Sequence, residues 1–251
     1  KELEHKIFFR VSENLTKKHY KALQISWFGG EPLMGLQNLK TLSENLMALA
    51  KDHKCAYSAK MVTNGLSLKP NIFFDLAINH KVKKFEITID GTEEYHDQRR
   101  YTKSREKTFG IILQNLKDIT HDERFDSAGS EITIRCNVDR SNHESVFDLI
   151  DLLEEENILK HASFYTAPIH SWGNDAHLQS LSHQEYAAFQ IDVLLKLQEI
   201  GYTPGVLPSR TKQVCISTSE HGEVFDAYGD VYDCTEISMV PAYEGNDKYK
   251  M

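Results

Sequence analysis

The stretch ISWFGGEPLMGL, residues 25–36, joins two patterns. Its first residues read as a buried strand and its last ones open a helical repeat, with two glycines, a glutamate and a proline between them. That is one βα unit, and the rest of the chain repeats it. Leu3, Ile7, Val11 and Leu15 share a helical face before the strand LQISWF (23–28), and Leu36, Leu39, Leu42 and Leu46 form the next helix. Further strands read at YSAKMVT (57–63), KFEITID (84–90), EITIRCNV (131–138) and HASFYTA (161–167). The intervening helices run from Pro70 to about Asn79, through Phe109, Ile112, Leu116 and Ile119, and through Val146, Ile150 and Leu153. Five strands alternating with helices predict an α/β fold whose parallel strands are joined by right-handed crossovers, as an open sheet or as a barrel. Beyond about residue 176 the pattern changes to a long amphipathic helix (Tyr186, Phe189, Val193, Leu197, Ile200). A Gly- and Pro-containing boundary, GYTPGVLPSR, and short β-prone pieces around 213–234 follow.

Composition narrows the function. A chain of 251 residues with 40% hydrophobic content buries a substantial core, and its charge of -8 is the wrong sign for a nonspecific nucleic-acid binder. The basic clusters KVKK (81–84) and QRRYTKSREK (98–107) read as solvated surface. No apolar run approaches the ~18 residues of a membrane span and no signal-like segment opens the chain, so no membrane partner and a cytoplasmic location are expected. The four cysteines, Cys55, Cys136, Cys215 and Cys234, are too scattered for a disulfide scaffold and read as reduced thiols or metal ligands. Cys55 and Cys136 fall on expected elements and read as core.

In a parallel βα array, reactive groups collect at the carboxyl edge of the strands. GGEP (29–32), TNG (63–65), TIDG (88–91) and the strand around Arg135 all fall there. Gly29 and Gly30 let the main chain approach a ligand with its carbonyls free, Glu31 adds a carboxylate, and Pro32 fixes the turn while removing a donor. This group suits an ammonium, whereas a phosphate would want exposed backbone N–H groups. An ordinary turn is the plain alternative.

Taken in order, WFGGEPL, TNG, TIDG with HDQRR after it, and IRCNVDRSN resemble the radical S-adenosylmethionine (AdoMet) enzymes, particularly those that modify peptides and proteins. The resemblance spans residues 2–234 or so. It implies a partial (β/α)6 TIM-like barrel whose strands here are the second to sixth, with the GGEP segment binding the methionine ammonium of AdoMet. It implies further that Thr88 stands near the cofactor and that Arg135 faces its carboxylate or ribose. Asn64 and Asp90 lie at matching strand ends, where turn-making is the alternative role. His96, Asp97 and Arg100 match a motif read as structural. The family holds its catalytic 4Fe-4S cluster on a CxxxCxxC loop that has no counterpart here. The first strand is also missing, and an absent N-terminal segment accounts for both.

The tail adds a second resemblance. Cys215, Gly229 and Cys234 are spaced C-x13-G-x4-C, and AYGDVYDC resembles the turn opening a SPASM or twitch domain, which holds auxiliary iron-sulfur clusters. The domains expected are therefore a barrel over 1–176, a linking helix and loop over 177–211, and a truncated SPASM/twitch-like start over 212–251. Cys215 and Cys234 are the candidate metal ligands. His170, Trp172 and Asp175, on the loop after the last barrel strand, are candidate substrate contacts. The whole implies an enzyme that makes a 5′-deoxyadenosyl radical and takes hydrogen from a peptide or protein side chain, with flavodoxin or ferredoxin as reductant. The alternatives are a barrel without a cluster serving as a peptide- or partner-binding subunit, and an open nucleotide-binding sheet, disfavoured because no GxGxxG follows a strand.

Overall fold

A computed structural model describes residues 2–171, 174–202, 215–219, 221–238, 240, 243 and 246–251. The five expected strands are present as β1 (Ala22–Trp27), β2 (Ala56–Thr63), β3 (Val82–Thr88), β4 (Glu131–Val138) and β5 (Ala162–Pro168). They are all parallel and lie in the order β1-β2-β3-β4-β5. Right-handed crossovers between sequential neighbours put the connecting helices on one face of the sheet, as in a barrel. A doubly wound nucleotide-binding sheet reverses its strand order at a switch point, and this sheet has no reversal.

The helices are α1 (Glu2–Lys17), α2 (Leu36–Asp52), α3 (Pro70–Ile78), α4 (Glu93–Arg99), α5 (Phe109–Thr120), α6 (Phe125–Ala128), α7 (Ser145–Glu155) and α8 (His183–Glu199). Pro70 starts α3 at a position where its missing N–H costs nothing, and Ser182 with Glu185 closes a capping box on α8. The main core lies between the sheet and its helices, with the Phe73 ring 4.5 Å from Phe85 and 5.9 Å from Phe125. Phe189, Val193 and Leu197 of α8 join that same core. A smaller cluster packs Ile7, Phe8, Val11 and Leu15 of α1 against Leu42, Leu46 and Leu49 of α2.

The two faces of the sheet differ. Along β4, Ile132, Ile134, Cys136 and Val138 are buried toward the helices, whereas Glu131, Thr133, Arg135 and Asn137 alternate with them and stay partly open. Parallel sheets are usually covered on both faces and apolar throughout. Here the face a barrel would enclose is polar, carrying Lys60, Lys84, Glu86, Arg135 and Tyr165 across β2 to β5.

Two elements leave no periodic signal in the sequence. In α4 only His96 is buried, so no apolar stripe marks it, and α6 is a single turn closed by Gly129 in the left-handed region. In the tail, β6 (Val224–Phe225) and β7 (Val231–Tyr232) pair antiparallel around a turn held by the Asp226 carboxylate, which accepts from the N–H groups of Tyr228 and Asp230. This hairpin sits on α1. Arg10 pairs with Glu223 at 2.8 Å, and a Cβ on Gly229 would lie 2.9 Å from Leu3. Trp172 and the expected boundary from residue 203 onward lie outside the described residues. No helix among the described residues is long and apolar enough to cross a membrane.

Candidate functional site at the carboxyl edge of the sheet

β1 delivers Gly29 and Gly30 to the carboxyl edge, where both are exposed. Gly29 has φ +121°, a conformation that side chains rarely adopt, and Gly30 has no such backbone reason to be glycine. An added Cβ at Gly30 would meet nothing within 4 Å. The glycines of the neighbouring strand ends are different: a Cβ at Gly65 would lie 2.8 Å from Ile87, and one at Gly91 would lie 2.4 Å from Ser145. Those two are required by internal packing. The protein's own packing does not require Gly30.

Glu31 turns inward. Its Oε1 accepts from Leu33 N at 3.1 Å and from the Thr63 hydroxyl at 2.7 Å, and its Oε2 accepts from Asn64 N at 2.7 Å. One carboxylate thus caps the 3-10 turn that begins at Pro32 and ties the diglycine turn to the end of β2. Asn64 Oδ1 accepts from Leu66 N at 2.9 Å in a local turn. The amide of Asn115 on α5 donates to the Gly65 and Leu66 carbonyls.

Asp90 is likewise committed within the chain. Only 3% exposed, it accepts from Arg100 Nε at 2.6 Å and from the backbone and side-chain N–H groups of Asn137 at 2.8 and 3.1 Å. Thr88 is buried at the end of β3 and pairs in register with Arg135 on β4. Arg135 donates from Nε to Asn137 Oδ1 at 2.9 Å and reaches Glu86 at 3.5 Å, with Tyr165 facing both from β5. Burial, and then the Glu86 carboxylate, push the Tyr165 hydroxyl up to about 12, so it stays a neutral donor. Glu86 and Tyr165 were not picked out from the sequence. Their signal was the polar member of each alternating strand, one residue type at a time.

His96 anchors this edge from below. Its Nδ1 accepts from Asp90 N at 3.1 Å, and its Nε2 lies 3.2 Å from the Thr108 hydroxyl, which itself donates to the Arg100 carbonyl. Asp97 accepts from the N–H groups of Thr108 and Phe109, which start α5. The structural reading of the HDQRR segment therefore agrees with its contacts. Burial pulls the His96 imidazole down to about 4, with Asp90 opposing and Arg100 adding to the shift. An unfolded histidine takes its proton near 6.5, so stability is full above about pH 6.5. It falls as pH drops toward about 4, by up to ~3 kcal/mol in all. Urea titrations across that window should show this slope, and His96→Asn should flatten it. An equal slope in the variant would place its origin elsewhere.

Cys136 is fully buried on the helix side of β4, where burial raises its thiol well above the ordinary range, and Cys55 is buried before β2, at the opposite edge of the sheet. Cys55 therefore lies away from the carboxyl edge, and Cys136, near the end of β4, lies on the face opposite Arg135. Cys215 is exposed and Cys234 half-exposed in the tail, and the Ser217 hydroxyl lowers the Cys215 thiol. No group of three or more His, Cys, Asp or Glu among the described residues is arranged to hold a metal. His170 and Asp175 are exposed on the loop after β5.

No family model matches the chain, and no curated protein sequence matches it. Among solved structures, it is similar to anSMEcpe with bound AdoMet (TM-score 0.68, 19% identity, 99% of this chain and 67% of that one). It is similar to the same protein with bound AdoMet and the Kp18Cys peptide (TM-score 0.66, 19% identity, 99% and 67%). It is also similar to Streptococcus suis SuiB bound to S-adenosylmethionine (TM-score 0.58, 14% identity, 99% and 55%). The chain thus spans about two thirds of the first protein and 55% of the second. At such identities the likeness is one of fold, a partial barrel built on the five-stranded parallel sheet.

Proposed function

We propose that this chain is the AdoMet-binding barrel of a radical AdoMet oxidoreductase or maturase that acts on a peptide or protein side chain. The observation that carries the reading is the open space beside Gly30, at the carboxyl edge of β1, where glycine serves no internal contact. A ligand that approaches the backbone there supplies the missing reason. In this reading the Gly29 and Gly30 carbonyls accept from the cofactor's ammonium, and Pro32 fixes the turn that presents them. Asn64, Thr88 and Arg135 face the cofactor from the next strand ends, Arg135 toward its carboxylate or ribose. Glu31 and Asp90, whose oxygens are already taken, act as positioning residues that set the height of the neighbouring loops. The hydrogen abstraction itself is chemistry that AdoMet and a 4Fe-4S cluster supply when bound.

The described residues do not form a catalytic cluster site, because Cys55 is buried at the opposite edge of the sheet and Cys136, near the carboxyl end of β4, is buried toward the helices. A second reading is a barrel that binds a peptide or partner without AdoMet chemistry. Calorimetric titration of the chain with AdoMet separates the two: saturable binding supports the first, and peptide binding with no AdoMet affinity supports the second.

The reading extends to the tail, where Cys215 and Cys234 are proposed as ligands of an auxiliary iron-sulfur cluster in a SPASM- or twitch-like unit. The Ser217 hydroxyl, by favouring a thiolate at Cys215, supports that role. After anaerobic reconstitution, Cys215→Ala and Cys234→Ala should each lower bound iron, whereas Cys55→Ala should not. Equal losses from all three would remove the assignment.

A further inference from the structure

Beside the AdoMet cradle, and sharing Asn64 with it, a cleft of about 250 Å³ opens between the loop after β2 and the α4–α5 connection. Asn64, Arg100, Tyr101 and Thr108 line it, with Leu66 and Ile112 as an apolar floor. Arg100 is held by Nε on the buried Asp90 carboxylate, and its two terminal nitrogens have no partner among the described residues. The Asn64 side-chain oxygen is used in its own turn, which leaves its NH2 as a free donor. The polar groups left over are donors, and no free carboxylate lines the cleft.

The lip of the cleft is a built loop. Tyr101 and Lys107 form an antiparallel bridge, Thr102 N donates to the Glu106 carbonyl at 3.1 Å, and Arg105 takes a left-handed conformation with φ 65°. The Arg105 guanidinium lies 4.3 Å over the Tyr101 ring. Of the acids nearby, Glu93 pairs with Lys107 at 2.7 Å, and Glu106, held by the Thr102 and Ser104 hydroxyls, keeps its charge and offsets one of the lip's cations. Lys103 and Arg105 are exposed and have no acid partner among the described residues. With Arg99, Arg100 and Lys107 each matched to an acid and Glu106 set against Lys103 and Arg105, this chain of net charge -8 keeps a small local positive excess on a preformed lip.

We infer that this cleft and lip recognise a carboxylate-bearing side chain of the peptide substrate, with further acidic residues flanking it. An anchored guanidinium offers two parallel N–H donors that match a carboxylate. The Leu66 and Ile112 floor suits the methylene stem of a glutamate, where a bare phosphate would find no use for it. Lys103 and Arg105 stand outside the cleft, placed for neighbouring acids and for steering, since the remaining acidic surface repels the peptide elsewhere. The inference rests on the proposed peptide substrate and adds its charge class.

The test uses the 251-residue chain and a fluorescent Gly-Ser-rich peptide bearing a run of glutamates, against the same peptide with glutamines. Anisotropy should give about tenfold tighter binding of the acidic peptide at low salt, the scale of one charge-assisted bidentate pair. Arg100→Gln should remove that preference. Because Arg100 also pairs with Asp90, a second variant, Lys103→Gln with Arg105→Gln, breaks no ion pair among the described residues and should lower it about threefold to fivefold and flatten its salt dependence. Equal binding of the two peptides, or a preference untouched by both variants, overturns the inference. So does competition by inorganic phosphate, which would mark a generic anion site. Competition by AdoMet would likewise assign the cleft to the cofactor's own carboxylate. AdoMet affinity measured in parallel keeps the two proposals apart: equal binding of the two peptides by the parent chain with AdoMet binding intact sinks only this one.

Discussion

Gly30→Val should leave the fold intact and reduce AdoMet affinity by about a hundredfold or more, roughly 2.7 kcal/mol. Beyond its two chain neighbours, a Cβ at this position meets no protein atom within 4 Å, so it adds no contact with the packed interior. The change falls entirely on whatever approaches the backbone. A branched side chain beside the carbonyls blocks that approach, because hydrogen bonds from an ammonium need the donor within about 3 Å of the oxygen. The urea midpoint should therefore match that of the parent chain while the calorimetric signal with AdoMet disappears. Gly29→Ala makes the contrast. At φ +121° it should lower stability by about 1–3 kcal/mol through backbone strain before any ligand is considered. Retained AdoMet affinity in Gly30→Val would remove the proposed cofactor site, and lost stability in that variant would mean the glycine serves the fold.

The largest effect on stability is expected at Asp90. Its carboxylate is buried and accepts three hydrogen bonds, one from the Arg100 guanidinium and two from Asn137. Asp90→Ala removes every acceptor at once and leaves a part-buried cation and two amide donors without partners. Breaking a buried, hydrogen-bonded charge pair from one side costs about 3–5 kcal/mol. Asp90→Asn keeps one oxygen and should cost about half as much. Urea unfolding monitored by circular dichroism would read both. A loss under about 1 kcal/mol in the alanine variant would show that water replaces the carboxylate without penalty.

The strands were legible because β3 and β4 alternate apolar and polar residues, and the diglycine turn because it interrupts that alternation at a strand end. What the chain order could not reveal was direction. Glu31 and Asp90 are both carboxylates at strand ends, and sequence alone makes each a ligand candidate. Only the contacts of Thr63, Asn64 and Asn137 reveal that both point into the protein. The basic run at 98–107 reads as solvated surface because its partners are distant in sequence. Arg99 meets Asp139, and Arg100 meets Asp90. α4 escaped notice because its single buried residue is a histidine, which carries no weight in an apolar periodicity.

The unreversed strand order also bears on how the molecule is made. From β2 onward, each strand of the main sheet pairs with the one before it in the chain, so β2 can dock on β1, β3 on β2 and so on as each βα unit leaves the ribosome. No strand waits for a distant partner, which keeps contact order low for a parallel sheet and shortens the time that unpaired edges stand exposed. Assembly can then run from one end to the other. The diglycine cradle, the positive lip and the β5 loop form in succession, each on a platform already laid down.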